Sequence, residues 1–491
     1  MRQTRQRRRS LSRYPLNTVR PAESSCFEAP DSSTVTLPAE FLFRGPVPRD
    51  PAPLASRLAD QFRLQNQEVL SRLGVSVGVH YDGCQVALNI TTSTVVGAVP
   101  LRAPTSGQTE FGLVVQPRYE WSGLGPMLAE MGWRIIPAPL PLPNLPRSER
   151  KIPPWVLSAI VLGRIEAMLS NLRRDFKMCD AVCAAPRGQV DWQTYAKKFV
   201  ARGRLMEVPC RFPDLSVDRR LRGAIHFTLR RHFASLESQR HAGVFVIKLI
   251  TWCTNLLDRV RDTAPLVPTD LQIRSWMQGG LRSASLREGL DAIVWTVDER
   301  GLAGLCDNQG LPWSMSMESF FEAWVENILH LVARQMGGTI RTARRRETLM
   351  PIEWDPPYQG SQRSLLPDVV MDSSSGIVIM DAKYKDHWED LTFHSWSEVE
   401  ERVREQHRAD LLQVLAYAGS FDSSRLVTFL VYPCRTTTWE SLKDRQRLFH
   451  RATVGVGSRR VNVLLTAVPM DAQMDRVIEP ITGELKRIMS A

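Results

Sequence analysis

The spacing of apolar positions changes three times along the chain. Up to about residue 60 no period holds, and a stretch rich in Pro, Ser and Arg predicts irregular chain. From about 74 to 135, short β-branched runs alternate with Gly and turn residues: Val75–Val79, Val86–Ile90, Val95–Leu101 and Leu113–Pro117. That pattern predicts a small β-domain. The proline-dense segment Pro137–Pro146 marks a linker. From about 154 to 300 the period becomes helical, with Ile160, Leu162, Ile165 and Leu169 on one face and similar segments at 221–233 and 244–257.

A further module begins near 312. Met317–Met336 reads as a helix whose stripe is Phe320, Trp324, Ile328 and Val332. Two apolar runs, Leu366–Val370 and Ile377–Lys385, flank the turn-prone Ser373–Gly376 and predict a β-hairpin. Glu398–Ala418 predicts a second helix, Arg425–Tyr432 and Val461–Val468 two strands, and Met474–Met489 a closing helix. The expected fold is multidomain α/β: a basic, disordered tail over 1–60, a β-rich unit over 61–146, a helical unit over 147–311, and a mixed sheet flanked by helices over 312–491.

Composition narrows the function. A chain of 491 residues has room for several cores. No apolar run reaches the ~18–20 residues of a spanning helix; the longest, 242–253, is broken by Lys248. The N-terminal arginines are not followed by the apolar stretch of a secretory leader, so a cytoplasmic location without a membrane partner is expected. The eight cysteines are scattered, and Cys179 and Cys183 have no neighbours to complete a zinc set, so reduced thiols are expected. A net charge of +11 favours a polyanionic partner. Part of it comes from Arg2, Arg5, Arg7, Arg8, Arg9, Arg13 and Arg20; whether that tail binds nucleic acid is open.

The chemistry concentrates in the predicted hairpin. Asp368 and Asp381 would lie on paired strands, close enough to share one divalent cation, and the strand period puts Lys383 on the face of Asp381. Phosphodiester hydrolysis needs a cation on the phosphoryl oxygens, an oriented water and a stabilised leaving group. Mg2+ prefers oxygen ligands, and one or two carboxylates hold it. Asp368, Asp381 and the backbone carbonyl of Ala382 meet that need, and Lys383 can orient the water or offset negative charge. Glu322, an acid within the apolar helix run Phe320–Trp324, is a candidate further ligand, direct or through water, with Glu326 one turn on as its alternative. Asp410, Gln413 and Tyr417 share a face of the next helix, and Gln413 and Tyr417 can contact a phosphate or position the lysine. Each also has a structural reading: a solvated ion pair, a turn, a salt bridge or a core edge.

Phe321-Glu322, Leu366-Pro367-Asp368, Asp381-Ala382-Lys383-Tyr384-Lys385 and Asp410-x-x-Gln413-x-x-x-Tyr417-Ala418 resemble the PD-(D/E)xK nuclease superfamily, and within it the McrC family, the nuclease subunits of McrBC 5-methylcytosine restriction systems. Weaker likeness runs upstream through Val114–Arg118, Met127-Leu128, Arg202–Leu205, Val208–Phe212 and Leu215–Arg219. Arg118 replaces a usual lysine, and Leu205 and Arg219 also depart from the pattern. The resemblance implies a restriction-endonuclease-like mixed sheet over 312–491. It further implies a Mg2+-dependent endonuclease (Mn2+ the alternative ion) acting on double-stranded DNA in phage defence. The unit over 61–146 would dock onto a separate AAA+ NTPase, a GTPase or ATPase, and stimulate it. No Gly-x-x-x-x-Gly-Lys-Ser/Thr loop occurs in this sequence, which agrees with a motor on another chain. Two other readings stay open: a catalytically silent DNA-binding adaptor or motor activator, and an RNA or repair nuclease of the same superfamily.

Overall fold

A computed structural model describes residues 25–43, 49–82, 85–119, 127–128, 130–131, 135, 137–140, 142, 155–172, 175–216, 218–242, 244–278, 284–298, 301–302, 310–385, 388, 399–423, 425–456, 459–471 and 473–490. The expected multidomain α/β class holds. The arginine-rich part of the expected tail, up to residue 24, lies outside the described residues.

Within the stretch expected to be irregular, 1–60, the described residues 25–43 and 49–60 are ordered. They contain β1 (Ser25–Pro30), β2 (Thr34–Pro38) and the start of α1 (Ala52–Ser71). The helix follows from a stripe at Ala55, Leu58, Ala59, Phe62 and Leu70, all buried. Pro51 and Pro53 ahead of the stripe, and Arg57 and Arg63 within it, hide the period from a compositional reading. β3 (Ser76–Asp82), β4 (Gln85–Thr91), β5 (Val95–Arg102) and β6 (Thr109–Gln116) appear where the β-branched runs predict strands. β2, β4 and β3 form one sheet. A second sheet has the order β1-β6-β5-β13-β7, where β7 is Ala138–Pro139, inside the expected linker, and β13 is Trp313–Ser316. The boundary expected at 311/312 therefore falls just before a strand that belongs to the N-terminal sheet.

The middle segment is helical only in part. α2 (Trp155–Asn171) is buried on nearly every side from Trp155 to Leu162, as a central helix must be. α3 (Arg219–Ser238), α4 (Val244–Asp258), α5 (Asp270–Gln278) and α6 (Ala284–Val297) follow. Between α2 and α3 stands a three-stranded sheet of β8 (Asp175–Cys183), β9 (Gln189–Val190) and β10 (Val208–Ser216), which the helical reading missed. Two two-residue strands, β11 (Gly301–Leu302) and β12 (Gly310–Leu311), precede β13. The helical core and the C-terminal sheet share one continuous apolar cluster, running from Ile160 to Met380 and Leu485.

α7 spans Met317–Met336, as the stripe predicts, with Ser316 capping its N-terminus and Gly337 ending it in the left-handed region. Beyond it come β14 (Thr339–Thr342), a small ladder of β15 (Met350–Pro351) and β16 (Ser364–Leu365), and the hairpin β17 (Val369–Ser373) and β18 (Gly376–Ala382). α8 (Glu401–Gly419), β19 (Leu426–Cys434), α9 (Thr436–Asp444), β20 (Phe449–Val456), β21 (Arg459–Pro469) and α10 (Asp475–Ser490) complete the chain. The six-stranded sheet has the order β14-β17-β18-β19-β21-β20. β18, β19 and β21 are parallel to one another, and the remaining pairs are antiparallel.

Strand alternation sorts the sheet into two faces. Val369, Met371, Val378, Met380 and Ala382 pack in the cluster that contains Phe321 and Trp324 of α7. Val370 and Ile379 pack with Tyr417 and Ala418 of α8. Among the described residues, no helix is long and apolar enough to cross a membrane.

Candidate active site

The site forms where β17 begins and β18 ends, on the α8 side of the sheet. Register pairs Val369 with Met380, so Asp368, one residue before β17, comes beside the end of β18. Asp368 Oδ2 accepts the backbone N–H of Ala382 at 2.7 Å. Asp381 continues the face of Ile377 and Ile379, and Lys383 follows two residues on. Lys383 Nζ lies 2.6 Å from Asp381 Oδ2. The hairpin that sets this register turns at Gly376, whose φ is +140° and whose absent Cβ leaves room for the Arg425 carbonyl oxygen.

Both aspartates are driven toward the neutral acid. Burial pushes the Asp368 carboxyl up, and the neighbouring Asp381 charge pushes it further. Burial likewise raises Asp381, against the opposing pull of Lys383. Burial alone would lower Lys383, but Asp381, with Asp368 and Asp410 behind it, outweighs that and keeps the ammonium charged. Asp381 is 1% exposed, and although Lys383 approaches one oxygen as an ion pair, neither oxygen is in a hydrogen bond of ordinary geometry. A buried carboxylate short of hydrogen bonds, beside a second one, suits a hard divalent cation. These donors therefore fit the Mg2+ that the motif implies, with Asp368, Asp381 and the Ala382 carbonyl as the oxygen set.

Glu322 and Glu326 separate. Glu326 is buried and its Oε2 pairs with Arg344 Nε at 3.3 Å. Glu322 lies on the more open side of α7. Partial burial raises its carboxyl, Arg344 opposes this, and the charges of Glu318, Lys383 and Asp381 also reach it. Glu322 thus lies within electrostatic reach of Lys383 and Asp381. Among the described residues no three His, Cys, Asp or Glu side chains form a metal-holding group.

Gln413 and Tyr417 also meet. Gln413 Nε2 donates to the Tyr417 hydroxyl at 2.5 Å, and that hydroxyl reaches the carbonyl of Leu366, two residues before Asp368, at 3.4 Å. Burial raises the Tyr417 phenol, and the Asp381 carboxylate adds to the effect.

Sequence reasoning passed over a second buried layer. Lys385 Nζ donates to both oxygens of Asp410 at 2.7 Å. Tyr432 of β19 donates to Asp410 Oδ2 at 3.1 Å, and His407 Nδ1 lies 3.0 Å from the Tyr432 hydroxyl. Burial and the Asp410 carboxylate hold the Tyr432 phenol un-ionised. The signal was present: Lys385 continues the period of two from Asp381, and Asp410 is an acid within an apolar helix run.

Residues 307–433 match the family described as McrBC 5-methylcytosine restriction system component. That is the family to which the chain's motifs are similar, and the match spans Glu322, the hairpin, α8 and most of β19. No curated protein matches the chain. Similar solved structures include a half-complex from a tetradecameric assembly of Thermococcus gammatolerans McrB AAA+ hexamers with bound McrC, at 14% identity, covering 95% of this chain and 99% of that chain, with a TM-score of 0.38. Another is the Thermococcus gammatolerans McrBC complex, at 13% identity, covering 62% of this chain and 88% of that chain, with a TM-score of 0.26.

Proposed function

We propose that the chain is a Mg2+-dependent DNA endonuclease subunit of a McrBC-type restriction system, working with a separate AAA+ NTPase. The convergence of Asp368, Asp381 and Lys383 at the end of one hairpin carries this reading. The McrBC family match over 307–433 supports the system, and the motor partner comes from that family resemblance.

Asp368, Asp381 and the Ala382 carbonyl would hold the metal, with Glu322 acting through water. A bound Mg2+ supplies Lewis-acid polarisation of the phosphoryl oxygens and lowers the pKa of water. The chain's own residues do the rest. Lys383, kept protonated by Asp381, presents a compact positive charge that orients the attacking water and offsets charge on the phosphate. Asp410 and Tyr432 fix Lys385 beside it. Gln413 and Tyr417 hold the segment that leads into Asp368.

Plasmid cleavage by the purified chain with Mg2+, with and without its AAA+ partner and GTP or ATP, tests the proposal. Cutting by the parent and its loss in Lys383→Ala is the expected result. A parent that never cuts yet stimulates the motor would favour the adaptor reading. Cleavage of RNA in preference to DNA would move the chain to another branch of the superfamily.

A further inference from the structure

Tyr384 stands between the two lysines of the site, yet its side chain points the other way. Strand alternation sends Asp381 and Lys383 to the α8 face and Tyr384 to the α7 face, where it is 5% exposed. Two groups from the N-terminal sheet meet its ring there. The Arg118 guanidinium carbon lies 4.7 Å from the ring centroid, and Tyr119 packs edge-on with centroids 6.0 Å apart. Phe321, the neighbour of Glu322 on α7, lies 6.1 Å from the same ring.

Arg118 is itself fixed by the turn after β1. Its backbone N–H donates to Asp31 Oδ1 at 2.6 Å, its Nε lies 3.5 Å from that oxygen, and its Nη2 donates to Ser32 Oγ at 2.8 Å. Asp31 is 1% exposed. The Tyr119 hydroxyl donates to the carbonyl of Pro433, at the end of β19, at 3.3 Å. The backbone of 383–385 is held by the N–H of Lys383, which bonds to Val431, and that of Lys385, which bonds back to Lys383; the two lysine side chains are tied to Asp381 and Asp410, and the Tyr384 ring is left to the α7 face.

We propose that Arg118, held by Asp31, is a positioning residue for the catalytic segment, so that the N-terminal sheet sets the placement of Lys383 and Lys385 through the Tyr384 ring. The link rests on the nuclease reading for its consequence and on packing for its existence. A planar guanidinium suits this position because it can lie over a ring while its edge serves a carboxylate and a hydroxyl. The contact chain Asp31–Arg118–Tyr384 then joins the unit expected to meet the motor to the cutting site, beside the hydrogen bond from Tyr119 to Pro433.

Hydrogen exchange of the full-length chain, compared between the parent and Arg118→Ala, reads the link without any cleavage. Exchange in peptides covering 378–385 should quicken by about tenfold or more, with peptides of β21 and α10 unchanged. Cleavage in the presence of Mg2+ and the AAA+ partner should lose about tenfold or more in kcat with the KM for DNA unmoved, and Arg118→Lys should fall between. If Arg118→Ala does not fold, Arg118→Lys is read by the same two measurements. Unchanged exchange over 378–385, or a uniform rise along the whole chain, overturns the proposal. A parent that does not cut overturns the nuclease reading instead and leaves the exchange result to decide the link.

Discussion

Asp368 accepts the backbone N–H of Ala382, while Asp381, one residue before that amide, is paired with the Lys383 ammonium. The two acids are therefore not equivalent. Asn at position 368 can still accept the Ala382 N–H and removes one of two buried like charges. Asp368→Asn should abolish cleavage, by at least ~100-fold. In metal-free buffer it should be more stable than the parent by about 1 kcal/mol, a rise of roughly 2 °C in Tm. Asp381→Asn removes the carboxylate that keeps Lys383 charged and should cost about 3 kcal/mol. Thermal unfolding with a chelator present checks this, and shifts of the same sign in both variants would refute the asymmetry.

The Asp410 network makes a separate prediction. Asp410 takes two hydrogen bonds from Lys385 and one from Tyr432, deep between α8 and β19. Asp410→Asn should destabilise by about 3 kcal/mol, because it leaves a cation partly buried beside an amide. Tyr432→Phe should cost about 1 kcal/mol. The two changes share a hydrogen bond, so the double variant should lose less than the two singles together, by about 0.5 kcal/mol or more. Denaturant unfolding of the four proteins measures the coupling, and strict additivity would mean that Asp410 and Tyr432 act alone.

The parts legible in the sequence were those whose signal is local. The stripe from Phe320 to Val332 gave α7 residue for residue, and the turn at Ser373–Gly376 gave the hairpin and its register. The pairing of Lys383 with Asp381 follows from the strand period alone. Long-range partners left no comparable mark. Nothing around Trp313 announces that it pairs with Ala98, more than two hundred residues earlier. The meeting of Arg118 with Tyr384 is equally silent, since each looks locally like a surface residue near a strand end. β8 and β10 were missed because, among the described residues, the buried core of their sheet is the small set Val208, Cys210 and Phe212, inside a stretch dominated by helical spacing.

His232 of α3 is buried between Ser158 Oγ and Thr296 Oγ1, each 3.0 Å from a ring nitrogen. Burial lowers its pKa from 6.5 to about 4, with nearby Arg231 adding to the effect. The folded state thus holds the neutral ring, and between those values the unfolded chain binds the extra proton. Its contribution is complete above about pH 6.5 and is lost as pH falls toward 4, for a total on the order of 3 kcal/mol. Stability measured from pH 7.5 down to 4.5 should fall in the parent and fall less steeply in His232→Gln. Parallel profiles would show that the ring does not titrate with unfolding.

Gly97 sits where the N-terminal sheet receives β13, and its φ is +151°. A Cβ there would stand 2.1 Å from the Trp313 carbonyl oxygen and 2.9 Å from Ser314 Cα. Both are backbone atoms of the partner strand, so no side chain can swing aside to make room. Gly97→Ala must therefore part β5 from β13 or distort both, and should cost about 3 kcal/mol. The damage would not stay in the sheet. Ser316, the last residue of β13, caps α7 through the N–H of Ser319, and α7 carries Glu322 and the Phe321 that touches Tyr384. Cleavage should weaken along with stability, although Gly97 is far from the site in sequence and touches none of its residues. Gly78 of β3 supplies the contrast, because a Cβ there meets nothing within 4 Å. Gly78→Ala should leave the Tm within about 1 °C of the parent, in keeping with an unstrained surface substitution. If both alanines unfold alike, the close approach of β13 to β5 is not what holds these two strands in register.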